Sequence, residues 1–170
     1  MIPTELAELG LSLIEGFATP EEETAILQQV PPTPPRLCVR ERNSIRRFGC
    51  QSAYRTNMVS KSIPESISVL CLRLHQQKIL DFVAHSITVN EYQKGQQIAP
   101  HIDEPRCGPV IAVLSMCSPA TMRLMSNTES YAIVLPPRSL VVMRDEIRYQ
   151  WRHSVEPVEE LRMSVVFRKE

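Results

Sequence analysis

From residue 85 onward, apolar and polar positions alternate in short runs about ten residues apart. The runs cover 86–92, 98–103, 110–116, 121–125, 131–135, 139–144, 153–155 and 161–168. Lys94-Gly95, the turn from Pro105 to Pro109, Pro119, Asn127 and Pro136-Pro137 separate them. Period-two alternation bounded by proline and glycine predicts strands, and eight in succession predict a two-sheet jelly roll or barrel. Residues 147–151 read as a single helical turn set before the seventh strand.

The first half follows a different rhythm. Residues 11–17 alternate loosely and read as a strand. Thr19-Pro20-Glu21-Glu22 then supplies an N-cap, a proline at the first helical position and a glutamate at N3, a capping box that predicts a helix over 20–30. Pro31-Pro32-Thr33-Pro34-Pro35 ends it in a stiff, extended connector. Residues 36–54 hold the β-formers Leu37, Val39, Ile45 and Phe48 with weak periodicity, which suits a hairpin or two edge strands. Pro64 opens a second helix with Ile67, Leu70, Cys71 and Leu74 on one face. The expected fold is α+β: a double-stranded β-helix (jelly roll) backed by two N-terminal helices. It forms one domain over 1–170, with a strand-helix extension over 1–35, a basic hairpin region and helix over 36–84, and the roll over 85–170.

Composition narrows the function classes. The 43% hydrophobic and 22% charged content of the 170 residues excludes a disordered chain. No apolar run approaches the 18 residues of a membrane span. Glu5, Glu8 and Glu15 precede any Lys or Arg, which argues against a secretory or transit leader. Cys38, Cys50, Cys71, Cys107 and Cys117 are odd in number and contain no CxxC, the usage of a reducing compartment, cytoplasmic or nuclear. Charge is unevenly placed although the net is zero. Residues 36–61 carry seven bases (Arg36, Arg40, Arg42, Arg46, Arg47, Arg55, Lys61) against Glu41 alone, a net of +6. Such a segment suits phosphates; a solvated face balancing the acidic start explains it equally well.

His101 and Asp103 stand two apart in a predicted strand, so both side chains leave the same face. His153 heads another strand and completes a set of two imidazoles and one carboxylate, which leaves open positions on an octahedral iron(II). A lone HxD is weak evidence, since a strand histidine usually serves structure. Arg162 and Arg168 add weight, six apart and alternate to Val165 and Phe167. If their face points inward, a buried guanidinium needs an anion, and a dicarboxylate such as 2-oxoglutarate would supply one. If it points outward, solvent suffices. Spacing does not choose between the two.

Asn90-Glu91-Tyr92, Gly95, His101-Ile102-Asp103, His153, Arg162 and Arg168, in that order and at those spacings, resemble the AlkB family of Fe(II)/2-oxoglutarate dioxygenases. The likeness extends through Leu135-Pro136-Pro137-Arg138-Ser139-Leu140 and Arg148-Tyr149-Gln150-Trp151-Arg152-His153, and is greatest to the branch that hydroxylates modified wobble uridines in tRNA. It covers about residues 44–169. The resemblance implies that His101, Asp103 and His153 hold iron, and that Asn90 and Tyr92 hydrogen-bond 2-oxoglutarate. Arg162 would pair the distal carboxylate and Arg168 would steady the chelating end, with Ser164 standing where several relatives carry Asn. The stretch from Arg47-Phe48-Gly49 to Tyr54 resembles that branch's substrate lid, which makes Arg46, Arg47, Phe48 and Tyr54 candidates for substrate binding. Pro105 occupies the position of a histidine that helps bind zinc in that branch, so no structural zinc is expected.

The implied activity uses Fe(II), 2-oxoglutarate and O2 to hydroxylate or oxidatively demethylate a modified nucleic-acid base, in RNA (tRNA) ahead of DNA, by a chain taken as a monomer with no membrane association. A protein side chain as substrate, or a non-catalytic β-roll binding module, are the competing readings. His75 and His85 have no carboxylate at ligand spacing and read as structural. Cys107 lacks an apparent base, and Trp151 reads equally as a shield for iron or as core.

Overall fold

The structure is a computed structural model that describes residues 2–33, 43–49 and 61–170. The strands form two antiparallel sheets, as the alternation predicts. They are β1 (Leu11–Ile14), β2 (Ser44–Gly49), β3 (Ser86–Tyr92), β4 (Ile98–His101), β5 (Ile111–Met116), β6 (Ala120–Met125), β7 (Ser130–Leu135), β8 (Leu140–Met143), β9 (Arg152–Val155) and β10 (Arg162–Arg168). The larger sheet runs β1-β8-β5-β10-β3-β2 and the smaller β4-β9-β6-β7. This is the expected double-stranded β-helix with two further strands on the edges of its larger sheet.

Both expected helices form. The first, α2 (Pro20–Gln29), follows the short helix α1 (Thr4–Glu8). At its start the Thr19 hydroxyl accepts from the Glu22 amide and the Glu22 carboxylate accepts from the Thr19 amide, so the capping box is complete. The second, α3 (Glu65–Gln76), buries Ile67, Leu70, Cys71 and Leu74. These four pack with Ile26 and Val30 against Ile87, Val89, Leu114, Val142, Met163, Val165 and Phe167 of the larger sheet. The opposite face of that sheet meets the smaller sheet around Leu124, Ile133, Val141, Trp151 and Val166. Alternate residues of β10 therefore belong to different cores, so Arg162, Ser164, Val166 and Arg168 point between the sheets.

Two local differences from the sequence reading, at α1 and at β4, have physical causes. Helix α1 is too short to show a period, yet its Leu6 is fully buried between the sheets. Of the hairpin or two edge strands expected over 36–54, the described residues contain β2, paired with β3 at the sheet edge; the remainder lies outside them. Strand β4 stops at His101 rather than running to Asp103: Pro100 has no amide to give the ladder, and its register against β9 shifts between Ile98 and His101. The helical turn before the seventh core strand is α4 (Asp145–Gln150).

Candidate active site

His101 and His153 face each other across the β4–β9 pair with ring centroids 4.3 Å apart. Asp103 reaches the same point from the loop after β4. Its Oδ1 lies 4.0 Å from His101 Nε2 and its Oδ2 lies 3.9 Å from His153 Nε2. One ligand atom from each residue falls within a 4.8 Å span. Ligand atoms of two imidazoles and one carboxylate brought this close can converge on a single metal ion, whose usual bonds to them are about 2.0–2.2 Å. The His101 Nδ1–H donates to the Ala99 carbonyl at 2.9 Å, which leaves the Nε2 lone pair for a metal. Burial, with His101 beside it and Asp103 opposing, pushes the His153 pKa down to about 4, so its imidazole is neutral at neutral pH and ready to ligate.

Beside this triad lies the inward face of β10. Arg168 donates through Nη2 to Asp103 Oδ1 at 2.6 Å and through Nη1 to Thr88 Oγ1 at 3.3 Å. Arg162 is 1% exposed and sits opposite Tyr92. Its Nη2 donates to Ser115 Oγ at 3.0 Å, while its Nε and Nη1 are buried with no hydrogen-bond partner among the described residues. The Tyr92 ring lies 5.0 Å beneath the guanidinium. Burial raises the Tyr92 pKa, against the pull of Arg162, and lowers that of Arg162 itself. Two uncompensated donors on one buried cation form a receptor for an anion, and a carboxylate accepts from such a fork in bidentate fashion. The donor set therefore fits both groups: two imidazoles and a carboxylate for iron(II), and a buried guanidinium with a phenol beside it for the free end of 2-oxoglutarate. The same face carries Asn90 and Ser164, directly opposite one another. Asn90 Oδ1 accepts from Asn43 Nδ2 at 3.0 Å, so the other end of its amide remains to donate.

The four candidate substrate residues divide. Arg47 pairs with Thr88 and is exposed on the face shared with Asn90 and Arg168. Arg46 and Phe48 take the opposite face. Arg46 is held by the Glu91 carboxylate at 3.1 Å and the Pro31 carbonyl at 2.6 Å, and Phe48 packs against the helix-side core. Both are spent on structure because antiparallel pairing puts them in line with Val89 and Ile87. Tyr54 lies outside the described residues. Trp151 packs into the core between the sheets, 5.9 Å from the Tyr131 ring. His75 Nδ1 and His85 Nδ1 approach the Leu80 and Val83 carbonyls at 3.4 and 3.3 Å.

Sequence reasoning missed Thr88 and Ser115, which orient the two arginines. Thr88 was findable, since it shares the period-two face of Asn90 and Tyr92. Ser115 is a lone hydroxyl inside an apolar strand, a fainter sign. Arg148 was also missed: it is 3% exposed and bonded to three backbone carbonyls of the loop that carries Asp103.

The family model of the 2OG-Fe(II) oxygenase superfamily matches residues 10–168. An uncharacterized protein of Acanthamoeba polyphaga mimivirus is 29% identical over 87% of this chain and 73% of its own. The tRNA (carboxymethyluridine(34)-5-O)-methyltransferase of Xenopus tropicalis is 27% identical over 87% of this chain, which spans only 25% of that protein. Among solved structures, that of OsALKBH1 superposes with a TM-score of 0.71 at 15% identity, covering 94% of this chain and 97% of the other, a likeness of fold.

Proposed function

Because the chain belongs to the 2OG-Fe(II) oxygenase superfamily, with AlkB-type relatives, we propose that this dioxygenase oxidises a modified base in RNA, with tRNA as the leading substrate. The observation that carries the enzymatic part is the inward face of β10, where Arg168 touches the triad's aspartate and Arg162 stands buried with two donors that have no hydrogen-bond partner among the described residues. Fe(II) with 2-oxoglutarate and O2 supplies oxidising power sufficient to break a C–H bond, releasing succinate and CO2.

The chain's own residues prepare for that chemistry. His101, His153 and Asp103 would fix iron on one side and leave the other open. Arg162, Tyr92 and Asn90 would hold the co-substrate, and Arg168 would keep the Asp103 carboxylate in one orientation. The cores on either side of β10 keep bulk water from the guanidinium, which strengthens its hold on a carboxylate.

The nucleic-acid part is supported by the basic segment over 36–61, by Arg47 on the site face of the edge strand, and by the tRNA named for the Xenopus relative. Arg46 and Phe48 would act indirectly by holding β2 in register. Succinate formation by anaerobically purified protein with Fe(II), ascorbate and 2-oxoglutarate tests the reading, using a panel of tRNA, alkylated DNA and peptides. Turnover stimulated by tRNA is the expected result. Stimulation by peptides alone would transfer the activity to protein side chains, and no succinate under any condition would end the enzymatic reading.

A further inference from the structure

We propose that Arg148 is a positioning residue for the iron centre, clamping the loop that delivers Asp103 to the helix that delivers His153. The inference rests on reading the triad as an iron site, and it begins from a gap in the sheet. Asp103 lies beyond the end of β4, so no strand ladder sets its place. The chain after it passes through a 3-10 turn at Pro105–Cys107 and reverses at Gly108, whose φ is +100°. Curled in this way, the loop turns several carbonyls toward one point.

Arg148 fills that point. Its Nη1 donates to the Asp103 carbonyl at 2.9 Å, its Nη2 to the Glu104 carbonyl at 2.7 Å and its Nε to the Gly108 carbonyl at 3.1 Å. Three acceptors fanned about one planar group match the donor fork of a guanidinium, whereas the ammonium of a lysine is a single point. The burial of this cation has a polar purpose: it satisfies three backbone oxygens of the loop, that of the buried Gly108 among them.

The clamp links the two segments that supply the ligands. Arg148 belongs to α4, which runs directly into β9, and His153 follows it by five residues with the buried Trp151 between. A shift of the 103–108 loop against α4 is therefore a change in the Asp103–His153 separation, now 3.9 Å. The far side of the loop is fixed by the Lys169 amide, which donates to the Cys107 carbonyl at 3.1 Å just after Arg168. Arg168 orients the carboxylate of Asp103 and Arg148 holds its main chain.

Anaerobic titration with Co(II), followed by its absorption spectrum, tests this on the full chain with R148K and R148Q beside the unaltered protein. The expected result is folded variants whose Co(II) dissociation constants rise about 10- to 100-fold, the usual cost of losing an outer support of a metal ligand, with an altered spectrum. A purely structural arginine would lower the melting temperature of the metal-free variants and leave the constant and spectrum unchanged, which overturns the proposal. Absence of Co(II) binding by the unaltered protein would instead fell the iron reading and the clamp with it. If neither variant folds, hydrogen exchange on the unaltered protein decides. Protection of 103–108 and 145–150 together on adding Co(II) supports the clamp, and protection confined to the ligands' own residues refutes it.

Discussion

Arg168 Nη2 donates to Asp103 Oδ1 at 2.6 Å, so the strand that carries the two candidate co-substrate arginines also steadies the one carboxylate of the His-Asp-His triad. Both side chains are mostly buried, and the second nitrogen of the same guanidinium is held by Thr88. The triad comes from the smaller sheet and the loop after β4, and this contact ties it to the larger sheet.

Arg168→Ala should therefore weaken metal binding as well as lower turnover. Loss of a charge-assisted bond of this kind costs about 1.5–3 kcal/mol of stability. The Asp103 carboxylate, released from its one described side-chain donor, should sample other rotamers and bind metal about ten-fold less tightly or worse. Co(II) titration and urea melts of the metal-free protein read the two effects separately. An unchanged metal affinity would show that Asp103 needs no such support.

Arg162→Met should act with opposite signs on stability and binding. In the protein alone, the fully buried guanidinium has the Ser115 hydroxyl and the Tyr92 ring beside it. Among the described residues it has no acceptor at Nε or Nη1, so much of its desolvation cost is not offset. Met fills similar volume without that charge, so the metal-free variant should melt at the same temperature as the parent or higher. The parent should gain stability from Mn(II) with 2-oxoglutarate, about 2.7 kcal/mol at a hundred-fold excess over the dissociation constant. The variant should gain nothing from the 2-oxoglutarate. Thermal melts with and without the co-substrate measure both signs.

The roll and its helices were legible because each depends on local signals: period-two runs between prolines, the Thr19 capping box, and the single apolar face of α3. The triad and the two arginines were legible through their spacing and through family likeness, although spacing alone left the direction of the β10 face open. Burial of Met163, Val165 and Phe167 under the helices decides it. The residues that escaped act through tertiary contacts. Arg148 reads as an ordinary helix cation until the 103–108 loop folds over it. Arg46 reads as part of a basic patch until strand pairing aligns it with Val89, on the side of Glu91.

Glu91 leads to a third prediction. It is 1% exposed, and its carboxylate accepts from the Thr33 amide, the Thr33 hydroxyl, Arg46 Nη2 and Gln93 Nε2. It thereby fastens both the segment after α2 and the edge strand β2 to β3. Glu91→Ala strands these donors and should cost about 3 kcal/mol or more, by analogy with breaking a buried ion pair. Glu91→Gln keeps the shape and should cost less. If turnover on RNA falls more than turnover of 2-oxoglutarate alone in Glu91→Gln, then β2 matters for the substrate; equal losses would confine Glu91 to stability.

The pH dependence of the metal-free protein should carry the mark of His153. Its folded pKa of about 4 lies below the ordinary value of 6.5, chiefly because the ring is buried. Between those values the unfolded chain takes up a proton that the folded chain refuses, so acid favours unfolding there. Stability from this group is complete above about 6.5, declines as the pH falls toward 4, and changes no further below it. The full span corresponds to about 3 kcal/mol at most, at 1.36 kcal/mol for each pH unit. Urea melts of the parent and of His153→Gln across pH 7.5 to 4.5 isolate the effect, because every other titrating group is common to both. The parent should lose more stability than the variant over this window. Parallel curves would mean that the imidazole is protonated in the folded protein as readily as in water, and that the pocket does not hold it ready for a metal.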